Sequence, residues 1–388
     1  MGTPDTEYRT RDGECRTGQS LTSSVPSRVR YSTFIGRHSV CLVCGFALAA
    51  SALAAEPAPE PACHALLVGG MPGPAVYARR YADWLRRFHA HLTQTAKVPA
   101  ANVVVLSGDD AFRDPILSGK ATRDAIRQSI AGIARRAAPE DQFILILIGH
   151  GTVAETLPSM VLPGQDINAQ ELADALAAVR ARNQVLLNFT SSAGDAVRFL
   201  ARGGRVTLAA TSPAEVSESV LAEFFLRGLE SKRADGEGAP QAGLLDGTIT
   251  LLEASNWASY QAAMWTGRMK STEAGWKVDG KESVEIFQKL YGSPEGEPAT
   301  RKLSPASDAT AADEPVPLRP KGGLDDFWFG RRIVAEHAVL EDCGQERGVS
   351  PLGGDGYKPI AGVKEGEPGA LARRVVLGKP GLLAEGGK

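Results

Sequence analysis

The chain has 388 residues, of which 43% are hydrophobic and 23% are charged, a globular composition sufficient for one large domain or two smaller ones. Its formal net charge is −2, so no basic excess points to nucleic acid, and no long single-sign run points to an anionic membrane. The sequence therefore predicts no partner that is recognised by charge, and nucleic acid is not expected as one.

Residues 1–55 are expected to lie outside the fold, because a polar stretch is followed by the apolar run SVCLVCGFALAASALAA at 39–55. This run is short for a membrane span and ends in small residues, and Ala52-Leu53-Ala54 fits an Ala-x-Ala cleavage site. We interpret it as a secretory signal peptide. That interpretation predicts a secreted or periplasmic protein with no stable membrane insertion after cleavage. An uncleaved N-terminal anchor is the alternative.

Two cysteines, Cys63 and Cys343, follow the apolar run. In an oxidising compartment they are candidates for a disulfide, and two separate buried thiols are the alternative. Neither lies in a Cys-x-x-Cys or His-rich spacing, so the sequence predicts no metal site. The glycines at 69–73 lack the G-x-G-x-x-G and P-loop spacings, so no nucleotide cofactor is expected.

From His64 onward, short apolar runs alternate with segments in which apolar residues recur at helical spacing. This alternation predicts an α/β fold, with right-handed crossovers, a mostly parallel sheet and helices on both faces. Asn168 with Glu171 resembles a capping box and predicts a helix start. The strands are expected at residues 64–70, 102–106, 142–148, 185–187 and 206–210.

Composition divides the rest of the chain. Residues 56–292 are expected to form one domain, which is preceded by the extension and signal peptide at 1–55. Residues 293–325, rich in Pro, Ser, Ala, Gly and charge, are expected to be a flexible insertion. Residues 326–349 are expected to return to the core, and the Gly-, Pro- and Lys-rich residues 350–388 to form a disordered tail.

Polar residues follow two of the expected strands, and in parallel sheets functional residues lie at the carboxyl ends of strands. His150 stands between two glycines, so it can approach a substrate closely and serve as a general acid or base near neutral pH. A hydroxyl of Thr190, Ser191 or Ser192 is expected beside it. The N–H groups of Gly151 and Thr190 are candidate oxyanion donors. A capped strand end without a catalytic role is the alternative for His150.

The order of these segments resembles the caspase-like clan of cysteine peptidases, and most closely its bacterial legumain-type members. ILILIGHGT at 144–152 is similar to the family's apolar strand ending in His-Gly. QVLLNFTSSAG at 184–194 occupies the place of its strand ending in Asp-Ala-Cys-x-Ser-Gly. The resemblance covers most of residues 63–345. It implies a caspase-like (flavodoxin-like) fold, with His150 as the catalytic histidine and Gly151 as the oxyanion glycine.

Within this resemblance, Thr190 stands at the position of the nucleophilic cysteine. A threonine hydroxyl is far less acidic than a thiol and its β-branched side chain has restricted rotamers. We therefore expect a catalytically impaired peptidase homologue, a pseudoenzyme, that binds a peptide or protein ligand. The alternative is an active hydrolase that uses His150 with a hydroxyl at 190–192.

In the clan that the sequence resembles, the substrate side chain before the scissile bond lies in a pocket built by strand ends. The residues expected to line this pocket follow the fifth strand and are Thr211, Ser212 and Glu215. Glu215 would favour a basic side chain there. The alternative for Glu215 is a first-turn helix residue favoured by the helix dipole. The sequence makes no prediction of oligomeric state.

Overall fold

The structure is a computed structural model that describes residues 60–213, 219–236, 245–273, 337–353, 356–357 and 359–383. The expected signal segment at 1–55 and the expected insertion at 293–325 lie outside the described residues, as does Glu215.

A seven-stranded sheet forms the centre of the described chain. Its strand order is β10-β9-β8-β4-β1-β2-β3, in which six neighbouring strands run parallel and β10 pairs antiparallel with β9. A separate three-stranded antiparallel sheet, β5-β6-β7, follows β4, and β11 pairs with β12. The strands are β1 (Cys63–Gly69), β2 (Val103–Ser107), β3 (Gly119–Lys120), β4 (Gln142–Gly149), β5 (Gly151–Ala154), β6 (Leu157–Met160), β7 (Ile167–Asn168), β8 (Asn183–Thr190), β9 (Arg205–Ala209), β10 (Val339–Glu341), β11 (Leu352–Gly353) and β12 (Gly356–Tyr357).

Helices cover both faces of the sheet, which confirms the predicted α/β class. Helices α1, α5 and α6 pack on one face and α2, α3 and α4 on the other. The helices are α1 (Ala75–Ala90), α2 (Arg123–Arg136), α3 (Ala169–Leu176), α4 (Ala193–Leu200), α5 (Leu221–Ser231) and α6 (Leu251–Glu273). The described chain also contains a short π-helix at His91–Thr95 and 3-10 helices at Ala100–Asn102 and Ala372–Arg374.

Side-chain alternation along β4 separates the two cores. Ile144, Ile146 and Ile148 pack with α1 and α5, whereas Leu145 and Leu147 pack with α2 and α3. All of β4 is buried, as expected for a central parallel strand covered on both faces. Each such side chain contributes about 1.5–3 kcal/mol by leaving water, so the register of this strand is strongly specified.

Two helix starts follow from capping residues. The Thr122 hydroxyl accepts the Ala125 N–H at 3.2 Å and begins α2. Asn168 accepts the Glu171 N–H at 2.8 Å while Glu171 accepts the Asn168 N–H at 3.1 Å. This reciprocal pair confirms the predicted capping box at the start of α3.

The prediction of a disordered tail at 350–388 is wrong for residues 359–383, which we call the C-terminal strap. Val375 and Leu377 are buried in the core beside α1 and α6. The Gln142 amide donates to the Val376 carbonyl at 3.0 Å and accepts the Gly378 N–H at 2.8 Å. Hydrogen bonds from buried side chains, and not strand or helix pairing, bind backbone groups of the strap. Its Gly- and Pro-rich composition therefore indicated disorder although the segment is packed.

Asp342 is the principal anchor of the strap. Its buried carboxylate accepts the N–H groups of Gly369, Leu371 and Ala372 at 2.8–2.9 Å. Hydrogen bonds to a charged acceptor are worth more than neutral ones. Asp342, which directly follows β10, therefore joins that strand to the strap through three N–H groups.

Glu341, on the edge strand β10, is 2% exposed, and its Oε1 accepts the N–H groups of Cys343 and Gln345. Its Oε2 and the hydroxyl of Thr207, its cross-strand neighbour, are buried without a hydrogen-bond partner among the described residues. Burial, together with the adjacent charge of Asp342 and against the N–H groups that Glu341 accepts, raises the pKa of Glu341 to about 7. The folded protein therefore holds a proton on Glu341 more tightly than the unfolded chain does.

Of the two alternatives for Cys63 and Cys343, the structure has the separate thiols and not the disulfide. The Cys63 Sγ lies 3.8 Å from the Gln142 side-chain oxygen at the start of the sheet. The Cys343 Sγ instead lies 3.4 Å from the Gly366 carbonyl in the strap. The two thiols therefore belong to different parts of the fold. Among the described residues, no helix has both the length and the hydrophobicity needed to cross a membrane.

Replacing Asp342 by alanine removes the shared acceptor of three strap N–H groups. We expect Asp342→Ala to lower the free energy of unfolding by about 2–4 kcal/mol, because the buried donors lose a charged partner. Urea unfolding measures the change. The neighbouring exposed Glu346→Ala serves as control, and equal stabilities of the two variants would contradict the role of Asp342 as anchor.

For Glu341, the raised pKa fixes the sign of a pH effect. Because the folded-state pKa lies above the ordinary value of 4.5, stability falls as pH rises from about 4.5 towards about 7 and levels off above it. Glu341→Gln removes this fall, and its amide can donate towards Thr207. We expect the variant to be more stable than wild type by about 1–3 kcal/mol near pH 8, with the gain shrinking near pH 5.

Thermal and urea unfolding of wild type and Glu341→Gln at both pH values test this expectation. Glu346→Gln, an exposed carboxylate a few residues away, is the control and should show no such pH-dependent gain. A Glu341→Gln variant that is less stable than wild type near pH 8 would contradict the account.

Candidate functional site

His150 directly follows β4, at the carboxyl edge of the sheet. It is half-buried, and its Nε2 lies 2.9 Å from the carbonyl oxygen of Pro72 in the loop after β1. A carbonyl only accepts, so Nε2 carries the proton in this bond and Nδ1 is the basic nitrogen of the neutral ring. The imidazole is thus oriented by the backbone of the neighbouring strand's loop.

Two tyrosines of α1 pack on the imidazole. The ring centroids of Tyr77 and Tyr81 lie 4.9 Å and 5.7 Å from that of His150, both edge to face. The Arg80 guanidinium lies over the Tyr77 and Trp84 rings at 5.2 Å and 5.6 Å. Sequence reasoning used these aromatic residues only as a helix pattern. Their i, i+4 spacing directly after the loop that follows β1 was the signal that they lie beside the histidine.

Buried charges hold α1 in place beneath this aromatic group. Glu223 of α5 accepts from the Trp84 indole N–H at 2.9 Å and from the Arg87 guanidinium at 2.7 Å. Burial raises the pKa of Asp83 to about 6 despite the neighbouring Arg87, whereas the carboxylates around Arg87 hold its pKa above the ordinary value although burial opposes this. The network fixes the helix that carries Tyr77 and Tyr81 against α5.

Thr190 does not face His150, which corrects the expected arrangement. Strands β4 and β8 pair with Gly149 opposite Thr190, and Thr190 lines a small cavity with Leu172 and Ala196 of α3 and α4. The His150 ring packs on α1, which covers the opposite face of the sheet. Because successive strand residues alternate in direction, positions 149 and 190 share one face and position 150 points to the other.

The Thr190 hydroxyl also has its own partner. It donates to the Asn188 side-chain oxygen at 2.8 Å, and that oxygen accepts the Thr190 N–H at 3.2 Å. Thr190 is 4% exposed. A buried hydroxyl held this way is not positioned to transfer its proton to His150.

Both expected oxyanion donors are engaged inside the fold. The Gly151 N–H donates to the Ser191 hydroxyl at 2.8 Å, and the Ser191 hydroxyl lies 3.2 Å from the Gly151 carbonyl. The Thr190 N–H is bound by Asn188. Ser192, 2% exposed, directs its hydroxyl towards the Thr152 carbonyl at 3.5 Å. In this state the three hydroxyls at 190–192 satisfy local groups of the protein.

Ser191 is the hydroxyl nearest in register to His150. It stands one residue beyond the Gly149–Thr190 pair, so it is level with His150 in the parallel arrangement. The family resemblance assigned Thr190 to the position of the nucleophilic cysteine by its place in the motif. A motif does not show which residues of neighbouring strands face the same side of the sheet.

Thr211 does not line the expected pocket for a substrate side chain after β9. Thr211 is fully buried, and its hydroxyl accepts the Gly194 N–H at 3.1 Å. It therefore fixes the first turn of α4 to the loop after β9. Ser212 is half-buried, and Glu215 lies outside the described residues.

Among the described residues, no cluster of three His, Cys, Asp or Glu side chains is arranged to hold a metal ion.

No family model and no curated protein sequence matches the chain. Among solved structures, the chain is similar to the Drosophila initiator caspase Dronc, with 14% sequence identity and a TM-score of 0.32. The match covers 43% of this chain and 64% of the caspase chain, less than two thirds of its length. At that TM-score the likeness assigns neither a family nor a residue role.

Gly194 provides a test of how the site loops are held together. A Cβ at this position would collide with the Thr211 and Ser212 backbone. Helix propensity alone predicts that Gly194→Ala stabilises α4 by about 1 kcal/mol. We expect instead a loss of about 1–3 kcal/mol in unfolding free energy, because the backbone of two segments must separate.

The matched control is Gly203→Ala, where an added Cβ meets no atom within 4 Å. Its unfolding free energy should change by less than about 0.5 kcal/mol. A Gly194→Ala protein as stable as Gly203→Ala would show that the α4 start and the loop after β9 are not in close contact.

Proposed function

We propose that the chain is a peptidase-like protein without hydrolytic activity that binds a peptide or protein ligand at the carboxyl edge of its sheet. The sequence resemblance suggests the peptidase-like ancestry, with His150 at the place of the catalytic histidine. We infer the lack of hydrolytic activity from one observation: Thr190 and His150 project from opposite faces of the sheet.

The state of the backbone donors supports the same proposal. Acyl transfer needs N–H groups aimed at a developing oxyanion. Here the Gly151 and Thr190 N–H groups are bound by Ser191 and Asn188. Activation would require a nucleophile, a base and two donors to be released or rearranged together.

Ligand binding is supported by the groups that remain accessible around His150. The half-buried imidazole lies beside the loop after β1, where Met71 is 40% exposed. In β5, which directly follows His150, Val153 is 36% exposed. Exposed apolar side chains next to an oriented hydrogen-bonding ring suit an extended peptide that carries both backbone groups and apolar side chains. We further propose export, on the basis of the apolar run at 39–55.

A serine-dependent hydrolase is the second candidate, because Ser191 is level with His150 and next to Gly151. In the observed arrangement the hydroxyl of Ser191 is bound to both backbone groups of Gly151. That contact favours a structural role for Ser191 over a nucleophilic one.

A peptide-library cleavage assay distinguishes these functions. We expect no cleavage by wild type or by Thr190→Cys, because a thiol at position 190 would still face α3 and α4. Cleavage by wild type that is abolished by both His150→Ala and Ser191→Ala would overturn the proposal in favour of the serine hydrolase. Cleavage restored in Thr190→Cys would show that position 190 reaches the histidine after all.

The binding part is tested on the same library in an immobilised form. Tyr77→Ala and Met71→Ser each change a side chain beside the loop that holds His150. We expect each variant to capture at least about tenfold less peptide than wild type. Glu346→Ala, which changes an exposed residue in the loop after β10 at the opposite end of the sheet, is the control and should bind as wild type does. A library from which wild type captures no peptide would count against peptide binding.

A further inference from the structure

The loops that precede β4, β8 and β9 carry a concentration of exposed positive charge. Helix α2 ends in two arginines, the loop after α3 supplies two more, and the loop after α4 supplies a fifth. A lysine of the C-terminal strap joins them. All six side chains are exposed, and we call them the basic patch: Arg135, Arg136, Arg180, Arg182, Arg202 and Lys379.

The topology brings these segments to one end of the sheet. Parallel pairing aligns the starts of β1, β4 and β8, with Cys63 opposite Gln142 and Gln142 opposite Asn183. The Arg182 N–H donates to the Pro139 carbonyl at 3.0 Å, which joins the loop before β8 to the loop before β4.

Lys379 lies between two strap contacts at the same end of the sheet. The Gly378 N–H donates to Gln142 at the start of β4, and the Asn183 amide at the start of β8 donates to the Pro380 carbonyl at 3.0 Å. The lysine is therefore held across the strand starts, next to the arginine-bearing loops.

The charges of the basic patch are not used within the fold. None of the six forms an ion pair with another described residue, in contrast to Arg86, Arg87 and Arg227, which pair with carboxylates. The exposed acidic residue in the three loops is Glu140. Arg135 and Arg136 also complement the C-terminal dipole of α2, but the other four cations lie outside helices.

Exposed apolar side chains accompany the patch. Leu382 and Leu383, three and four residues after Lys379, are 42% and 36% exposed. The Leu383 N–H donates to the Arg374 carbonyl at 2.8 Å, so the strap holds this pair in a defined position. Adjacent exposed apolar side chains can mark a surface that contacts a membrane or another molecule.

We propose that this end of the molecule docks on the surface of an anionic phospholipid membrane. Arginine and lysine at a membrane surface are attracted by acidic headgroups, and neighbouring leucines can enter the boundary of the acyl chains. Single-stranded nucleic acid is bound by a cationic groove with aromatic residues for stacking, and the patch has no aromatic member. Charge combined with exposed leucines therefore favours the lipid surface.

Docking in this way leaves the candidate site accessible. His150 follows the carboxyl end of β4, whereas the basic patch surrounds the amino ends of β4, β8 and β9. The two surfaces lie at opposite ends of the parallel sheet. A membrane-docked molecule would present the imidazole and its surrounding loops away from the lipid.

Vesicle co-sedimentation of the full chain tests the proposal. Wild type is compared on vesicles of phosphatidylcholine alone and of phosphatidylcholine mixed equally with phosphatidylglycerol, at low and high salt. We expect stronger binding to the mixed vesicles, and this preference should weaken at high salt because the attraction is screened. Wild type and the variants described below share residues 1–55, so a difference between them on the mixed vesicles reports on the substituted residues.

The charge-reversal pair Arg180→Glu with Arg182→Glu should weaken binding to the mixed vesicles by at least about tenfold. Leu382→Ser with Leu383→Ser should weaken binding but preserve the preference for anionic lipid. The matched control, Arg113→Glu with Arg127→Glu, reverses two exposed arginines away from the patch and should bind as wild type does.

Three results would overturn the proposal. Equal binding of wild type to both vesicle types would remove the role of charge. An equal loss in the patch variant and the control would show that total charge, rather than position, determines binding. Stronger binding of double-stranded DNA than of the mixed vesicles, lost in the patch variant, would assign the patch to nucleic acid instead.

Discussion

The hydrogen-bonded register between β4 and β8 determines which polar groups can meet at the carboxyl edge of the sheet. Both strands are buried along their full length, with a core on each face, so a shift by one residue would move every side chain of the strand into the opposite core. With Gly149 opposite Thr190, position 190 must point to the α3–α4 side and His150 to the α1 side. The packing of the two cores therefore determines which polar side chains share a face at this edge.

Much of the fold could be predicted from the sequence, because buried parallel strands are apolar runs and the helices between them repeat at helical spacing. The capping box at Asn168 could be predicted because it joins residues only three positions apart. The side of the sheet that Thr190 faces could not be predicted, since it depends on the pairing of two strands more than thirty residues apart. The packing of the C-terminal strap depends on Asp342 and Gln142, which are distant in sequence, so its composition alone indicated disorder.

The two ends of the sheet have different chemistry. At the carboxyl end, a histidine oriented by Pro72 and enclosed by Tyr77 and Tyr81 offers hydrogen bonding beside exposed apolar groups. At the amino end, cations from separate segments gather although the whole chain has a net charge of −2. A net charge averages over the surface, so it conceals a patch that only the topology assembles. The strap contributes to this end through Lys379 and is held there by the same contacts that complete the core.

Thr190 and His150 lie on opposite faces of the sheet. Nuclear Overhauser effects from the selectively labelled methyl group of Thr190 measure this placement directly in solution. We expect effects to the side chains of Leu172 and Ala196 and none to the rings of His150 or Tyr77. Effects from the Thr190 methyl to the His150 ring would contradict it, and would return Thr190 to the position of a nucleophile beside its base.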